Sequence, residues 1–245
     1  MATLNIKDKI SVCIATYNGE RYIKEQLESI LNQLDPEDEL VISDDGSTDR
    51  TLEIIKCISD NRIKLFLSKK KRGYSNNFEN ALENSTGDII FLSDQDDVWD
   101  KDKVRLSLEG LVNYDFVVSD CTVVDHRLGL IHPSHFLLRN VRQGFVWNWI
   151  YPRYVGACFV FRRRVLMSAL PFPDNKSLCA HDYWICLIAE LFFKVNLIQH
   201  QLIFYRRHED NASTGGERST NSLLKKLSIR AYVAFMLLRR ALTLA

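Results

Sequence analysis

The sequence predicts an α/β fold with a mostly parallel central sheet and helices on both of its faces. Three observations support this fold class: strand-like apolar runs alternate with helical patterns, turn residues separate the runs, and acidic clusters follow two of them. With 245 residues, of which 46% are hydrophobic, the chain is long enough to bury a sizeable core. The net charge of +1 gives no overall field for nucleic acid, which we do not expect as a partner.

The first half contains strand-like runs rich in β-branched and other apolar residues, at residues 10–16, 39–43, 63–67 and 89–92. The stretches between them carry apolar side chains at helical spacing and predict helices near residues 23–34, 52–58 and 75–82. Because strands that alternate with helices are joined by crossover connections, we expect these strands to pair in parallel. The first half is therefore predicted to be a parallel sheet covered by helices.

Acidic clusters stand at the ends of two predicted strands. Asp44 and Asp45 follow the second strand, and Asp94, Asp96 and Asp97 follow the fourth. The carboxyl ends of parallel strands meet at one edge of a sheet, where ligands bind. The first cluster could accept hydrogen bonds from a nucleotide, and the second could hold a hard divalent cation on a diphosphate. The alternative for the second cluster is a solvated acidic turn before a helix, where Asp is common.

A basic loop at residues 69–72, which ends in Arg72, could meet phosphate or base. Its alternative interpretation is a solvated run of charge. The glycine-rich loops that cradle phosphates, G-x-x-x-x-G-K and G-x-G-x-x-G, are absent from the sequence. Phosphate recognition is therefore expected to go through a metal ion.

The second half is less regular. A helix is predicted near residues 104–111 and a strand at 115–119, and further strands at 155–161, 197–198 and 202–205. Gly156 lies at the opening of its strand and permits either a close backbone approach or a bulge. His181 and Asp182 open a predicted helix that runs to about residue 193. The last strand is followed by His208 and by a Gly/Ser/Thr loop at residues 213–216.

An aromatic region lies between residues 130 and 154, where aromatic side chains either fill the core or stack on sugar rings; we favour the core. Its aromatic residues are Phe136, Phe145, Trp147, Trp149, Tyr151 and Tyr154. The six cysteines are scattered without a C-x-x-C pair, which argues for a reducing compartment and against a disulfide framework or zinc site. The sequence shows neither a signal-peptide core nor a spanning apolar run, so we expect a cytoplasmic protein.

The C-terminal stretch from residue 222 has a helical pattern with an apolar and a basic face. The apolar face contains Leu224, Leu227, Ala231, Phe235, Leu238 and Leu242. The basic face contains Lys225, Lys226, Arg230, Arg239 and Arg240. Such a helix either lies on an anionic membrane surface or packs its apolar face on the domain, and the sequence leaves both open.

Together these segments resemble the inverting nucleotide-sugar glycosyltransferases of the GT-A fold, of the family 2 type, in particular the bacterial group that builds O-antigen and other surface polysaccharides. The resemblance rests on C-I-A-T-Y-N-G at residues 13–19, V-I-S-D-D-G-S-T-D at 41–49 and L-S-D-Q-D-D-V-W at 92–99, and extends over residues 10–211. The D-x-D metal motif of that fold matches Asp94 and Asp96, and its glycine loop matches Gly156. Its catalytic-base motif matches His181 and Asp182, with His in the place more often taken by Glu, and its C-terminal histidine matches His208.

The resemblance implies a role for each matching residue. Asp182 is the general base, and Asp45, with Asp44 as the alternative, holds the base or ribose. Asp94 serves the ribose and diphosphate and, with Asp96, a Mn²⁺ or Mg²⁺ ion that His208 also reaches. Thr16, Tyr17 and Arg72 are added to the nucleotide site. The supporting residues are Asp97, Trp99, Gly156 and His181.

The implied activity is metal-dependent, inverting transfer of a hexose from a nucleotide sugar to a saccharide acceptor linked to a lipid pyrophosphate, the undecaprenyl lipid above all. UDP-glucose or UDP-galactose is the favoured donor and dTDP-rhamnose the alternative. The implied domain is residues 1–216, with a nucleotide-sugar half at 1–120 and an acceptor and catalytic half at 121–216, followed by a basic amphipathic helix at 217–245. Through this helix the enzyme would lie at the inner face of the cell membrane.

Other classes of protein remain as alternatives. Residues 94–98 also fit the D-x-D-x-[TV] motif of haloacid dehalogenase phosphatases, but that motif belongs on a first strand and here follows about the fourth. A nucleotidyltransferase would need a Gly-rich, basic N-terminal loop, and a glycoside hydrolase would not need Asp45. An inactive carbohydrate-binding module is the non-enzyme alternative, against which the intact Asp96 and Asp182 argue.

Overall fold

The computed structural model describes residues 8–208 and 221–244. The strands in this part of the chain are β1 (Ile10–Thr16), β2 (Glu39–Asp44), β3 (Ile63–Leu67), β4 (Ile89–Ser93), β5 (Val98–Trp99), β6 (Phe116–Val124), β7 (Leu130–His132), β8 (Phe159–Arg162) and β9 (Val195–Arg206). The helices are α1 (Ile23–Leu31), α2 (Thr51–Cys57), α3 (Tyr74–Glu83), α4 (Lys103–Gly110), α5 (His135–Arg139), α6 (Phe145–Ile150), α7 (Arg163–Ala169), α8 (His181–Phe192) and α9 (Leu223–Leu244). The predicted loop at 213–216, the domain boundary at 216/217 and the end of the resemblance at 211 lie outside the described residues.

The first four strands form the parallel part of one mixed sheet, in the order β3-β2-β1-β4. The register places Thr16 beside Asp44 and Ile14 beside Ser93. Because these strands run in the same direction, Thr16, Asp44 and Ser93 all stand at one edge of the sheet. The predicted parallel half is confirmed, and its acidic strand ends lie where the prediction placed them.

The second half extends the same sheet with strands of both directions, and the mixed α/β fold class is thereby confirmed. β8 lies antiparallel between β4 and β6, β9 runs parallel to β6, and β5 pairs antiparallel with the end of β9. The prediction of two separate strands at 197–198 and 202–205 is wrong, because both stretches belong to the continuous strand β9. The pairing of β9 with β6 is irregular between them, where the register shifts. Gly156 does not open a strand either: residues Gly156–Cys158 form a 3-10 turn before β8.

The core is the apolar interior of the sheet and the helix faces packed on it. The central strands β1, β2 and β4 are buried along almost their whole length, as their continuous apolar runs predict for a sheet covered on both sides. The aromatic region divides between core and surface. Phe136 and Tyr154 are buried as favoured, whereas Trp147 and Tyr151 are about half exposed.

Gly87 is required by a close backbone approach at the start of β4. A Cβ atom built there would lie 2.6 Å from both the Lys9 carbonyl oxygen and the Ser11 nitrogen. We expect Gly87→Ala to lower the free energy of unfolding by about 1–3 kcal/mol, because backbone atoms must shift to admit the methyl group. Urea unfolding measures this difference.

Gly110→Ala is the matched control, because the atom its Cβ would meet is the end of the flexible Ile198 side chain. In a helix, alanine is preferred over glycine by roughly 0.5–1 kcal/mol, which offsets the small rearrangement. Equal losses of stability in the two variants would contradict this account of Gly87.

The C-terminal helix α9 packs on the domain with a face other than the predicted one. Val233 and Leu237 are buried, and Ile229, Tyr232 and Met236 pack partly buried against the core. Arg240, predicted on the basic face, reaches over the domain and donates hydrogen bonds to the carbonyls of Leu170 and Pro171. The alternative that the predicted apolar face packs on the domain is therefore wrong.

That predicted apolar face is exposed instead. Leu224, Leu227, Phe235, Leu238 and Leu242 all present more than half of their surface to solvent. The helix therefore has two apolar faces, one packed and one open. No helix within the described ranges is long and apolar enough to cross a membrane.

Candidate active site

The candidate site lies at the sheet edge where β1, β2 and β4 end. β8 runs antiparallel to β4, so the Gly156–Cys158 turn before it lies at this same edge. β5 pairs with the end of β9, with Val98 beside Phe204, and this pairing carries the chain after β9 to the acidic cluster. The edge therefore collects residues from both halves of the chain.

The acidic cluster is compact. One carboxylate oxygen from each of Asp94, Asp96 and Asp97 lies within 4.8 Å of the others. His208 Nε2 lies 2.8 Å from Asp96 Oδ2, which joins the predicted C-terminal histidine to the predicted metal motif. Oxygen atoms at this spacing, with a histidine beside them, suit a divalent cation such as Mn²⁺ or Mg²⁺.

The electrostatics of the cluster also fit a cation. Burial, followed by the neighbouring Asp96 and Asp182 carboxylates, raises the pKa of Asp94 to about 8. Burial, with Asp96 and Asp94, likewise raises the pKa of Asp97 well above its usual range. Asp97 Oδ1 accepts the Arg206 N–H, while its buried Oδ2 has no hydrogen-bond partner among the described residues. Like charges this close favour protonation, and a bound cation would reverse that preference.

Lys103 lies beneath the cluster and was not predicted as part of the site. Its fully buried ammonium donates to the Ala157 carbonyl at 3.4 Å and lies 4.9 Å from the centre of the Trp99 ring. Burial lowers the pKa of Lys103 to about 8. Trp99, predicted as a supporting residue, is itself buried, with its ring 5.5 Å from the Phe91 ring. The sequence gives no signal for Lys103, since a lysine at a helix start is ordinarily solvated.

The two aspartates after β2 differ in what they can offer a ligand. Asp44 is fully buried, and its two oxygens accept hydrogen bonds from the Thr16 hydroxyl and from Gly46 and Ser47. Its hydrogen-bonding capacity is therefore used in holding the β2 turn. Asp45 is 8% exposed, and its Oδ2 accepts the Gly73 N–H. Of the two, Asp45 retains more capacity for a ligand.

Arg72 and Tyr17 form one wall of this end of the site. The Arg72 guanidinium donates to the carbonyls of Asp45 and Gly46 and lies 4.7 Å from the centre of the Tyr17 ring. Tyr17 is 43% exposed, so its ring is open to a ligand. The structure thus brings together the predicted nucleotide residues Thr16, Tyr17, Asp45 and Arg72.

Gln95, the middle residue of the D-x-D motif, fastens the acidic loop to the β1 turn. Its side-chain amide accepts the Tyr17 N–H at 2.9 Å and donates to the Tyr17 carbonyl at 3.1 Å. A Cβ on Gly19 would press on the Gln95 side-chain oxygen, so a side chain at this position would displace the clamp. This two-bond clamp was missed from the sequence, because the motif leaves its middle position open.

Asp182 stands at the start of α8, facing the Gly156 turn. The helix begins at His181 with Ala180 as N-cap, so Asp182 lies inside the first turn rather than capping it. Its Oδ1 accepts the Tyr183 N–H, and a Cβ on Gly156 would lie 3.0 Å from its Cβ. Asp182 is near enough to Asp94 to raise the pKa of that carboxyl.

His181 forms the buried wall behind Asp182. The His181 ring stacks on Phe78 with centroids 4.2 Å apart, and the His181 backbone N–H donates to the Ser75 hydroxyl oxygen. Burial lowers the pKa of His181, which favours the neutral ring. In this position the histidine orients the helix start that carries Asp182.

Tyr22 contacts His208 at the other side of the site. Its ring stacks on His208 with centroids 5.0 Å apart, and the Arg206 guanidinium lies 4.4 Å from the centre of the same ring. A turn tyrosine next to α1 carries no sequence signal for this contact. The site residues assigned from the sequence stay predictions in their roles, but the structure brings Asp94, Asp96, Asp97, Asp182 and His208 to one edge.

A parallel sheet whose acidic strand ends face a carboxylate on a later helix is typical of the nucleotide-sugar transferases with a GT-A fold. The model of a family described as glycosyl transferase family 2 matches residues 11–169. The chain belongs to this family, and it is a glycosyltransferase. This membership removes the phosphatase alternative.

Individual relatives support the same class. The dTDP-rhamnosyl transferase RfbG of Shigella flexneri is 28% identical over 232 residues, which cover 88% of this chain and 78% of RfbG. S. aureus TarS 1-349 in complex with UDP-GlcNAc superposes with a TM-score of 0.72 at 19% identity, over 93% of this chain and 66% of that one. The mannosyltransferase PcManGT from Pyrobaculum calidifontis, in complex with GDP-Man and Mn²⁺, gives 0.63 at 19% identity, over 96% and 72%. The two structures show that the fold is shared.

Proposed function

We propose that this chain is a metal-dependent, inverting hexosyltransferase that acts on a nucleotide sugar and a saccharide acceptor in the assembly of O-antigen or another surface polysaccharide. The observation that carries the proposal is the meeting of Asp94, Asp96 and Asp97 with Asp182 at one sheet edge. The three clustered carboxylates suit a cation, and the Asp182 carboxylate lies outside that cluster, where it can accept a proton.

Asp94 and Asp96 are the residues that would hold the cation, with His208 at its side and Asp97 in support. The unpartnered buried Oδ2 of Asp97 and the close packing of the three carboxylates fit a hard, positively charged ligand. When bound, a Mn²⁺ or Mg²⁺ ion neutralises the negative charge that develops on a departing diphosphate. The Gln95 clamp on Tyr17 holds the two cation ligands at a fixed distance from the nucleotide end.

Asp182 would act as the general base. A sugar hydroxyl is a weak nucleophile, and a carboxylate within hydrogen-bond reach takes its proton as it attacks the anomeric carbon. Attack on the face opposite the departing diphosphate inverts the anomeric configuration. The turn at Gly156 leaves room beside Asp182, because any side chain there would press on the Asp182 Cβ.

The base and ribose of the donor would lie between Asp45, Arg72 and Tyr17. A pyrimidine base offers an N–H donor to the Asp45 carboxylate and a flat surface to the exposed Tyr17 ring. We therefore favour a pyrimidine nucleotide sugar as the donor, either UDP-glucose or UDP-galactose or else dTDP-rhamnose. The similarity to RfbG favours the dTDP-rhamnose alternative.

A donor panel tests the proposed activity. The full chain is incubated with Mn²⁺, a lipid-pyrophosphate-linked saccharide and each of UDP-glucose, UDP-galactose, dTDP-rhamnose and GDP-mannose, and released nucleoside diphosphate is measured. We expect acceptor-dependent release from a pyrimidine nucleotide sugar and from no purine one. Absence of release from every donor would favour the inactive carbohydrate-binding module.

We further propose that the enzyme works on the cytoplasmic face of the cell membrane and that α9 rests on the lipid surface. The exposed Leu224, Leu227 and Phe235 form an open apolar face, and residues 221–244 carry five basic and no acidic side chains. Basic amphipathic helices of this kind bind anionic bilayers.

The double variant Leu224→Glu with Leu227→Glu is expected to bind anionic vesicles at least about tenfold more weakly than the unaltered chain. It removes apolar surface that would enter the lipid and adds negative charge that the anionic surface repels. Co-sedimentation with phosphatidylglycerol vesicles measures this. The control places the same two charges at polar positions, Ser222→Glu directly before α9 and Thr243→Glu within it, and separates the effect of charge from that of lost apolar surface. Equal vesicle binding by the Leu224/Leu227 variant and the unaltered chain would overturn the membrane proposal.

A further inference from the structure

An apolar groove of about 270 Å³ lies between α6, the end of α8 and α9. Phe145 and Trp149 of α6 form one wall, with their rings stacked at 6.3 Å between centroids. Leu191 of α8 and Leu238 and Ala241 of α9 form the others. Its size is near the lower end of ligand-binding sites, roughly 300–1,000 Å³.

The groove is open to solvent although nearly all of its lining is apolar. Leu238 is 67% exposed and Leu191 is 43% exposed at its rim. The rim continues into the exposed apolar face of α9 that contains Leu242. Contiguous exposed apolar surface on a folded domain marks a site of interaction.

The groove is tied to the catalytic side of the domain. The carbonyl of Trp149 accepts a hydrogen bond from the Tyr183 hydroxyl at 2.7 Å, and Tyr183 follows Asp182 directly. Arg230 of α9 donates to the Ile150 carbonyl at 2.7 Å and lies 5.5 Å from the centre of the Tyr183 ring. A molecule held in the groove therefore contacts α6, which is hydrogen-bonded to Tyr183, the residue that follows the candidate base Asp182.

The charges around the groove favour an anionic ligand. The basic residue that the structure places beside the groove is Arg230, whose guanidinium donates to the Ile150 carbonyl at the end of α6, and α9 carries no acid. Glu190, next to Leu191, is occupied within the domain, because its oxygens accept from Tyr154, Asn148 and the Gly144 N–H. A hydrocarbon chain with a phosphate-bearing head matches both the apolar lining and the basic surroundings.

We propose that this groove binds the hydrocarbon chain of the lipid-linked acceptor and so presents the acceptor's phosphate-bearing head to the Asp182 side of the domain. This assignment rests on the proposed function, which supplies the lipid-linked acceptor. Each methylene group that leaves water strengthens binding by roughly fourfold. A chain of modest length is thus sufficient to determine which acceptors bind.

Direct binding of a simple probe tests the groove without any donor. Dodecyl phosphate is titrated into the full chain below its micellar concentration, with butyl phosphate as the short-chain comparison. We expect saturable binding of dodecyl phosphate and at least about 100-fold weaker binding of butyl phosphate. Equal affinities for the two probes, or no saturable binding, would overturn the proposal.

Two variants locate the binding. Ala241→Trp fills the groove and is expected to weaken dodecyl phosphate binding at least tenfold, and Leu238→Ala, at an exposed position that folding does not depend on, is expected to weaken it several-fold. Ser228→Trp adds the same ring to α9 at an exposed position outside the groove and should leave the affinity unchanged. Unaltered dodecyl phosphate binding in both groove variants would overturn the proposal. So would the finding that the chain is a dimer and that Ala241→Trp dissociates it, because a second copy would then occupy the groove.

Transfer kinetics separate the acceptor from a bilayer lipid. The kcat/KM for an acceptor with a long hydrocarbon chain is divided by the kcat/KM for one with a short chain. Ala241→Trp should lower this ratio at least tenfold, whereas Ser228→Trp should leave it unchanged. An unchanged ratio together with lost vesicle binding would assign the groove to a bilayer lipid and overturn the proposal. Dodecyl phosphate binding without transfer from any donor would contradict the proposed function while supporting the groove.

Discussion

Replacing Asp182 by asparagine is expected to lower kcat by about 10²–10⁴-fold, the usual contribution of a general base. Asparagine keeps the size of the side chain and its hydrogen bond to the Tyr183 N–H, but it cannot take a proton. The loss corresponds to about 3–5 kcal/mol of transition-state stabilisation. Steady-state transfer from the donor that the panel identifies measures kcat and KM separately.

The control for Asp182→Asn is Asp174→Asn, an exposed carboxylate on the segment that leads to α8. This variant should transfer sugar at the rate of the unaltered chain. Binding of UDP or dTDP should survive in both variants, because the proposed base acts on the acceptor hydroxyl and not on the nucleotide. A kcat for Asp182→Asn within twofold of the unaltered value would exclude Asp182 as the base.

Removal of a cation ligand is the second large expected effect. We expect Asp96→Asn to lower kcat/KM by about 10²–10³-fold, because the amide weakens the hold on the cation that offsets the charge of the departing diphosphate. The loss should be partly restored by raising the Mn²⁺ concentration, since the remaining ligands still bind. Activity measured over a Mn²⁺ titration checks both parts.

Asp102→Asn serves as the matched control for the metal site. Asp102 lies a few residues beyond the cluster and pairs on the surface with Arg105. Its loss should change neither kcat/KM nor the Mn²⁺ dependence. If Asp96→Asn shows the Mn²⁺ dependence of the unaltered chain, or if chelation of all divalent cations leaves transfer intact, the metal assignment is wrong.

Much of the first half could be predicted from the sequence, because each feature there has a local cause. β1, β2 and β4 are continuous apolar runs, and a parallel arrangement brings the ends of such strands to one edge, which is why Asp44 and Asp94 could be placed together. The register of β1 with its neighbours then fixes the site. The sequence left Asp44 and Asp45 as alternatives, and in the folded chain both Asp44 oxygens accept hydrogen bonds within the β2 turn, which leaves Asp45 with more capacity for a ligand.

Features that depend on long-range packing could not be predicted. β5 is two residues long and exists only because β9 pairs with it, and that pairing brings the chain after β9 to Asp96. The buried Lys103 has no local signature. The face of α9 that packs on the domain could not be chosen from its pattern, because the helix is apolar on two sides.

The most direct test of a cation-dependent nucleotide site is calorimetric titration of UDP and of dTDP into the full chain, with Mn²⁺ and with a chelator. We expect at least one of the two nucleotides to bind at least tenfold more tightly with Mn²⁺, and we expect Asp96→Asn to lose most of that gain while Asp102→Asn keeps it. The reason is that the acidic cluster can approach a diphosphate only with a cation between them. Equal affinity of both nucleotides with Mn²⁺ and with the chelator would contradict the account.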